Sequence, residues 1–179
     1  GKGKGLSEKQ VGRARTKAIK NVNKLRGTVR KAIDDNKGAL RTVNRYFGSD
    51  ADLAAIDAKL EVLATNLTEA KIIAGDPAYL AQREAQLGGN RVVGAYVDPS
   101  APNTIFYNPS GFSTSTQLAA SLIHEGAHLT GIGHQFDAAG SIFYGQRRAK
   151  ALAKSGGFSR TSDNASNFGC AAFRTVSDC

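Results

Sequence analysis

At 179 residues with 41% apolar residues, the chain can bury a normal core as one domain, and no apolar run reaches the length a transmembrane helix needs. The formal charge of +9 is unevenly spread: residues 1–45 hold fourteen Lys/Arg against three acidic residues, and the remainder is close to neutral. The opening Gly-Lys-Gly-Lys-Gly has no apolar segment behind it, so this chain shows no secretory signal, and the Gly1 start is that expected of a processed form or of a domain cut from a longer precursor.

Residues 1–5 read as a flexible basic tail. Ser7-Glu8-Lys9-Gln10 then has the form of a capping box. Val11, Ala14, Ala18, Ile19, Val22, Leu25, Val29 and Ile33 recur at helical spacing, which predicts one long amphipathic helix over 7–35 with a strongly basic outer face. That face is either simply solvated or a contact for an anionic surface such as membrane or cell-wall polymer. No DNA- or RNA-binding motif accompanies it and residues 1–45 lack aromatics, so no specific nucleic-acid partner is expected. Asn36-Lys37-Gly38 breaks the helix, and a short segment follows to Arg45.

Ser49 or Asp50 can cap a second helix, whose apolar face Leu53, Ile56, Leu60, Leu63, Leu67 runs through residue 67. Pro77 opens a shorter helical piece to Leu87, ended by Gly88-Gly89-Asn90. Arg91–Val97 and Thr104–Tyr107 are β-branched and aromatic around a Pro-containing turn, the pattern of a small antiparallel sheet. A helix capped by Thr114 or Ser115 comes next, then a helix over roughly 141–154 with Ser141 as its cap, a polar loop from Gly156-Gly157, and a last helix from Ala165 to Phe173. Cys170 and Cys179 either close a short C-terminal loop, as an oxidising compartment would allow, or remain one buried and one terminal thiol.

Residues 124–134 read His-Glu-Gly-Ala-His-Leu-Thr-Gly-Ile-Gly-His and contain every histidine of the chain. On a helix, His124 and His128 project from one face and can share a cation, while Glu125 can reach a water beside it as general base. A catalytic zinc site needs a third protein ligand. The residues offer two, His134 and Asp137. With His134 the run completes His-Glu-x-x-His-x-x-Gly-x-x-His, the metzincin consensus, but the methionine turn that belongs to it has no counterpart in a chain without methionine.

With Asp137, nine residues after His128, the stretch from Leu122 to Ala153 resembles the aspzincin metalloendopeptidases, the deuterolysin and fungal lysine-specific group. Tyr144-Gly145 follows, as in that family's aspartate-to-Tyr-Gly segment, at an interval four residues longer. Tyr46-Phe47-Gly48-Ser49, Gly94–Pro99, Thr104–Tyr107 and Asn164-Ala165-Ser166-Asn167-Phe168 extend the resemblance over most of residues 45–173.

The resemblance implies an α+β, zincin-like domain over 1–179, mostly helical with a small antiparallel or mixed sheet. It implies one zinc ion per chain on His124, His128 and Asp137, with Glu125 as base and Tyr144 as hydrogen-bond donor to the oxyanion. It implies a protein or peptide substrate, and an exposed sheet edge could hold that substrate as an added strand, with the strand near Thr104–Tyr107, just before the zinc helix in sequence, as the better candidate. Ser166 and Gly169 stand where lysine-selective relatives carry acids, so lysine specificity is not expected. A monomer, secreted or delivered outside the producing cell, fits this reading. Its rivals are a zinc peptidoglycan hydrolase, a peptidase toxin or effector domain cut from a larger protein, and a non-enzymatic zinc-binding module.

Overall fold

The computed structural model describes residues 5–86, 88 and 92–179. The expected basic tail falls almost wholly outside these residues, as do Leu87 and Arg91. The chain folds as α1 (Glu8–Ile33), α2 (Lys37–Phe47), α3 (Leu53–Glu69), β1 (Lys71–Ala74), α4 (Pro77–Gln86), β2 (Ala95–Tyr96), β3 (Thr104–Tyr107), α5 (Ser115–Leu129), α6 (Gly145–Ser155), α7 (Phe158–Thr161) and α8 (Ala165–Ala172). The result is a mostly helical α+β fold with one three-stranded mixed sheet. Among the described residues, no helix is long and apolar enough to cross a membrane.

α1 is the central strut. Ser7 accepts from the Gln10 amide and Gln10 returns a bond to the Ser7 amide, so the capping box forms. Val11, Ala14, Ala18, Val22, Leu25 and Val29 are buried against α2, α3, α5 and α8. The stripe ends on Ala32, whereas Ile33 turns outward and is 44% exposed. The Arg15 guanidinium donates to the carbonyls of Leu67, Thr68 and Ala70, satisfying the open C-terminal end of α3. Arg26 donates to Asp57 and holds that carboxyl below the usual carboxylate range. The basic arm thus belongs to the core, with Lys9, Arg13, Lys17, Lys20, Lys24, Arg30 and Lys31 on its exposed side.

Three expectations are corrected here. α3 is capped by Asp52, while Asp50 instead accepts from the Phe158 amide that opens α7. The segment before Arg45 is a full helix, α2, capped by Asn36. β3 is not an edge: it pairs in parallel with β1 (Ile72 opposite Ile105) and antiparallel with β2 (Tyr96 opposite Phe106), so both its sides are occupied. β1 was not signalled by alternation because Lys71–Ala74 is short and mostly exposed.

α5 lies on α3 at close range. A β-carbon on Gly126 would meet Leu63 Cδ1 and Leu67 Cδ2, each at 2.9 Å, and both leucines are fully buried. Glycine is what lets the two backbones approach. Gly126→Val is expected to destabilise the fold by about 1–3 kcal/mol through overpacking, read as a lower urea midpoint. An unchanged midpoint would mean that the leucines repack freely.

Candidate metal centre

Thr114 caps α5 by accepting from the Gln117 amide, and from ten residues on, the helix brings His124, Glu125 and His128 to its C-terminal half. The helix ends in a Schellman motif. Gly131, at φ +86°, supplies the left-handed residue; its amide donates to the His128 carbonyl and the Ile132 amide to that of Ala127. This turn returns the Ile132 carbonyl to His128, whose Nδ1 lies 2.7 Å from it. A carbonyl can only accept, so Nδ1 carries the proton and Nε2 keeps its lone pair. The same turn starts the chain back toward the helix, and His134 arrives beside the other two imidazoles. One ring nitrogen from each of His124, His128 and His134 lies within 4.8 Å of the others.

The structure therefore brings His134, and not Asp137, to the two helix histidines. The Asp137 carboxylate is already committed. One oxygen accepts from the amides of Ala139 and Ser141, closing the turn that the longer interval creates. The other pairs with Arg148 at 2.8 Å, and the Arg148 hydrogen bond is the main reason Asp137 titrates below the usual carboxylate range. Arg148 is fixed in turn over the Phe143 ring. The extra residues form a small loop pinned by the Phe136–Ile142 bridge, and Ser141 lies in it rather than capping α6, which starts at Gly145. His134→Ala should lose a bound metal while Asp137→Ala keeps it, as metal content after dialysis would report; the reverse outcome would make Asp137 the ligand.

Tyr144 sits at the N-cap of α6 with its ring 5.5 Å from that of His124. Glu125 is only 9% exposed, and burial pushes its carboxyl up to about 8. Burial lowers His124 to about 3, helped by the neighbouring His128 and His134; burial and His128 lower His134 to about 4, and burial lowers His128 too. All three imidazoles are thus neutral lone-pair donors at neutral pH, the state a metal ligand requires. The His134 Nδ1 is buried with no hydrogen-bond partner. Such an orphan is costly inside a protein, and coordination of a cation by this ring would give the arrangement a purpose. A cluster of three neutral imidazoles suits zinc.

The sequence pattern gave no role to the segment that holds His134 in place. Gly133 donates to the Asp163 carboxylate at 2.9 Å and accepts from the Ala165 amide at 2.9 Å; Gln135 donates its amide to Asn164 Oδ1 at 3.0 Å. Residues 163–165 thus grip both neighbours of the third histidine. Asn164 also donates to the Phe143 carbonyl, and Asn167 to those of Tyr46 and Ala149, so this clamp is tied to α2 and α6. Two asparagines spaced by three in an otherwise apolar stretch were the available signal, since buried amides occur where backbone groups need partners. His124 is held from the other side: its Nδ1 lies 3.4 Å from both the Ser166 hydroxyl and the Cys179 main-chain oxygen. Cys179 is bonded to Cys170 of α8, and both are buried.

Comparison of the chain with family models, with curated proteins and with solved structures found no match.

Proposed function

We propose that the chain is a zinc-dependent metalloendopeptidase with a zincin-like site, in which His124, His128 and His134 hold one zinc ion. The observation that carries this reading is the convergence of three neutral imidazoles, one with a buried unpartnered nitrogen, two of them on the helix that also carries the buried Glu125. Zinc bound there supplies Lewis-acid chemistry, acidifying a water and polarising the scissile carbonyl. Glu125 takes the proton of the attacking water and passes it to the leaving amine. Tyr144 donates its hydroxyl hydrogen to the oxyanion that develops at the carbonyl. A non-enzymatic zinc module would have no use for a carboxyl buried at this position.

β2 replaces β3 as the strand on which an extended substrate can add. It is an edge of the sheet among the described residues, and it packs against α5. The side chain of Tyr96 on β2 is stacked on Phe106 and flanked by Tyr79, giving the edge a rigid aromatic backing. The disulfide fits action in an oxidising compartment, secreted or delivered outside the producing cell. The exposed cations of α1 offer an anionic surface a place to bind, separate from the histidines.

The test is a digest of a mixed peptide library by metal-free, zinc-restored and untreated protein, with cleavage products sequenced. The proposal expects hydrolysis that chelation abolishes and zinc restores; a zinc-loaded protein that cleaves no peptide would refute it. Cleavage restricted to lysine is not expected. Ser166 faces His124 instead of offering a charge, and the Asp163 carboxylate accepts from Gly133 and Gln135. Products cut only beside lysine would show that Asp163 serves as the pocket anion after all.

A further inference from the structure

We propose that the Cys170–Cys179 disulfide is a positioning element of the metal centre, holding the Cys179 main-chain oxygen against His124 so that metal retention depends on the redox state of the pair. The inference rests on the three-histidine zinc site proposed above. Its geometry is local. Cys170 lies in α8, fully buried, and α8 packs directly on α5. Residues 174, 175, 177 and 178 between the two cysteines are exposed. A main-chain bond from the Gln146 amide to the Ser177 carbonyl and the disulfide itself hold the end of this loop in place. The Cys179 oxygen then sits 3.4 Å from His124 Nδ1, and the Ser166 hydroxyl sits at the same distance.

Partners on the far nitrogen of a ligating imidazole fix its tautomer and ring orientation, and their loss typically costs about 10–100-fold in metal affinity. For His124, one of those two partners is placed by a covalent bond rather than by packing alone. Gly169 shows how closely that oxygen is seated: a β-carbon there would lie 2.9 Å from it. Opening the S–S bond leaves the end of a mostly exposed loop held only by the Gln146–Ser177 hydrogen bond and the packing of Val176 and Cys179, and the oxygen loses its register. In a compartment rich in dithiols, two electrons and two protons pass from the dithiol to the pair, giving two cysteine thiols and an oxidised dithiol. The site would then loosen its metal. In an oxidising compartment it stays closed around it.

Zinc-loaded protein would be treated with a trialkylphosphine, because dithiols themselves bind zinc. The phosphine gives up two electrons and becomes its oxide with the oxygen of one water, whose two protons end on the two thiols. Zinc transfer to a chromogenic chelator would be timed for oxidised and reduced protein, with thiols counted by alkylation and mass, and folding followed by circular dichroism. Reduced, folded protein is expected to release zinc about tenfold faster or more. Equal release from the two forms would overturn the inference. If reduction unfolds the chain, Gly169→Ala decides, since it displaces the Cys179 oxygen with the disulfide intact: faster zinc release supports the inference and unchanged release overturns it. Oxidised wild-type protein that holds no zinc would refute the metal centre itself, a result distinct from the failure of the coupling.

Discussion

Glu125→Gln is expected to keep zinc and fold while losing about 10²–10⁴-fold in peptide turnover. The substitution preserves the shape of a side chain that α5 buries almost completely, so neither packing nor the three imidazoles need move. What disappears is a carboxylate able to accept a proton from the attacking water. The amide cannot do so, and because burial keeps the Glu125 carboxyl protonated well above the usual carboxylate range, exchanging it for a neutral amide does not disturb the histidines that hold the metal. The pairing of two readouts gives the test its force: steady-state hydrolysis of a peptide found in the digest, and zinc per chain by elemental analysis. Full zinc with lost turnover supports the role of base. Full turnover in the variant would remove the hydrolytic mechanism, whatever the metal content.

Deleting residues 1–35 is expected to unfold the domain. The removed segment contains Val11, Val22, Leu25 and Val29, all buried, beside the fully buried alanines 14 and 18. At about 1.5–3 kcal/mol per large apolar side chain withdrawn from water, those four alone are worth about 6–12 kcal/mol. That matches the whole stability of an ordinary domain, about 5–15 kcal/mol. The deletion also strips the Arg15 cap from the carbonyls at the end of α3 and leaves Asp57 without Arg26. Loss of the cooperative unfolding transition, followed by circular dichroism, is the expected result. A truncated protein with a normal transition and normal zinc content would show that α1 is an appendage, and its charge would then be the property to explain.

The parts of this fold that are legible in the sequence are those governed by local rules. The Ser7–Gln10 capping box, the α1 stripe as far as Val29, the α3 leucines and the Thr114 cap each depend on residues within one or two turns, and each appears as expected. The two helix histidines and Glu125 follow from helical spacing alone. The third member does not. His134 and Asp137 are three residues apart in a loop, and which of them turns toward the helix depends on bonds made from far along the chain: Asp163 and Asn164 to the backbone around His134, and Arg148 to Asp137. The sheet was half legible for a similar reason. The pairing of β1 with β3 joins strands more than thirty residues apart, and the pattern of Lys71–Ala74 does not alternate strongly enough to announce it. Once β1 is in place, β3 loses its free edge, and the expected substrate strand moves to β2. The disulfide stood open from sequence because two cysteines nine residues apart fit either state; the packing of the C-terminal loop back onto α8 brings them together.

The most direct measurement is a crystal structure of the zinc-loaded protein with anomalous data collected at the zinc edge. The account predicts a single strong peak among His124, His128 and His134, with an imidazole nitrogen from each at about 2.0–2.1 Å and Asp137 still paired to Arg148. A peak bonded to the Asp137 carboxylate with His134 turned away, or zinc held anywhere else on the chain, would contradict it.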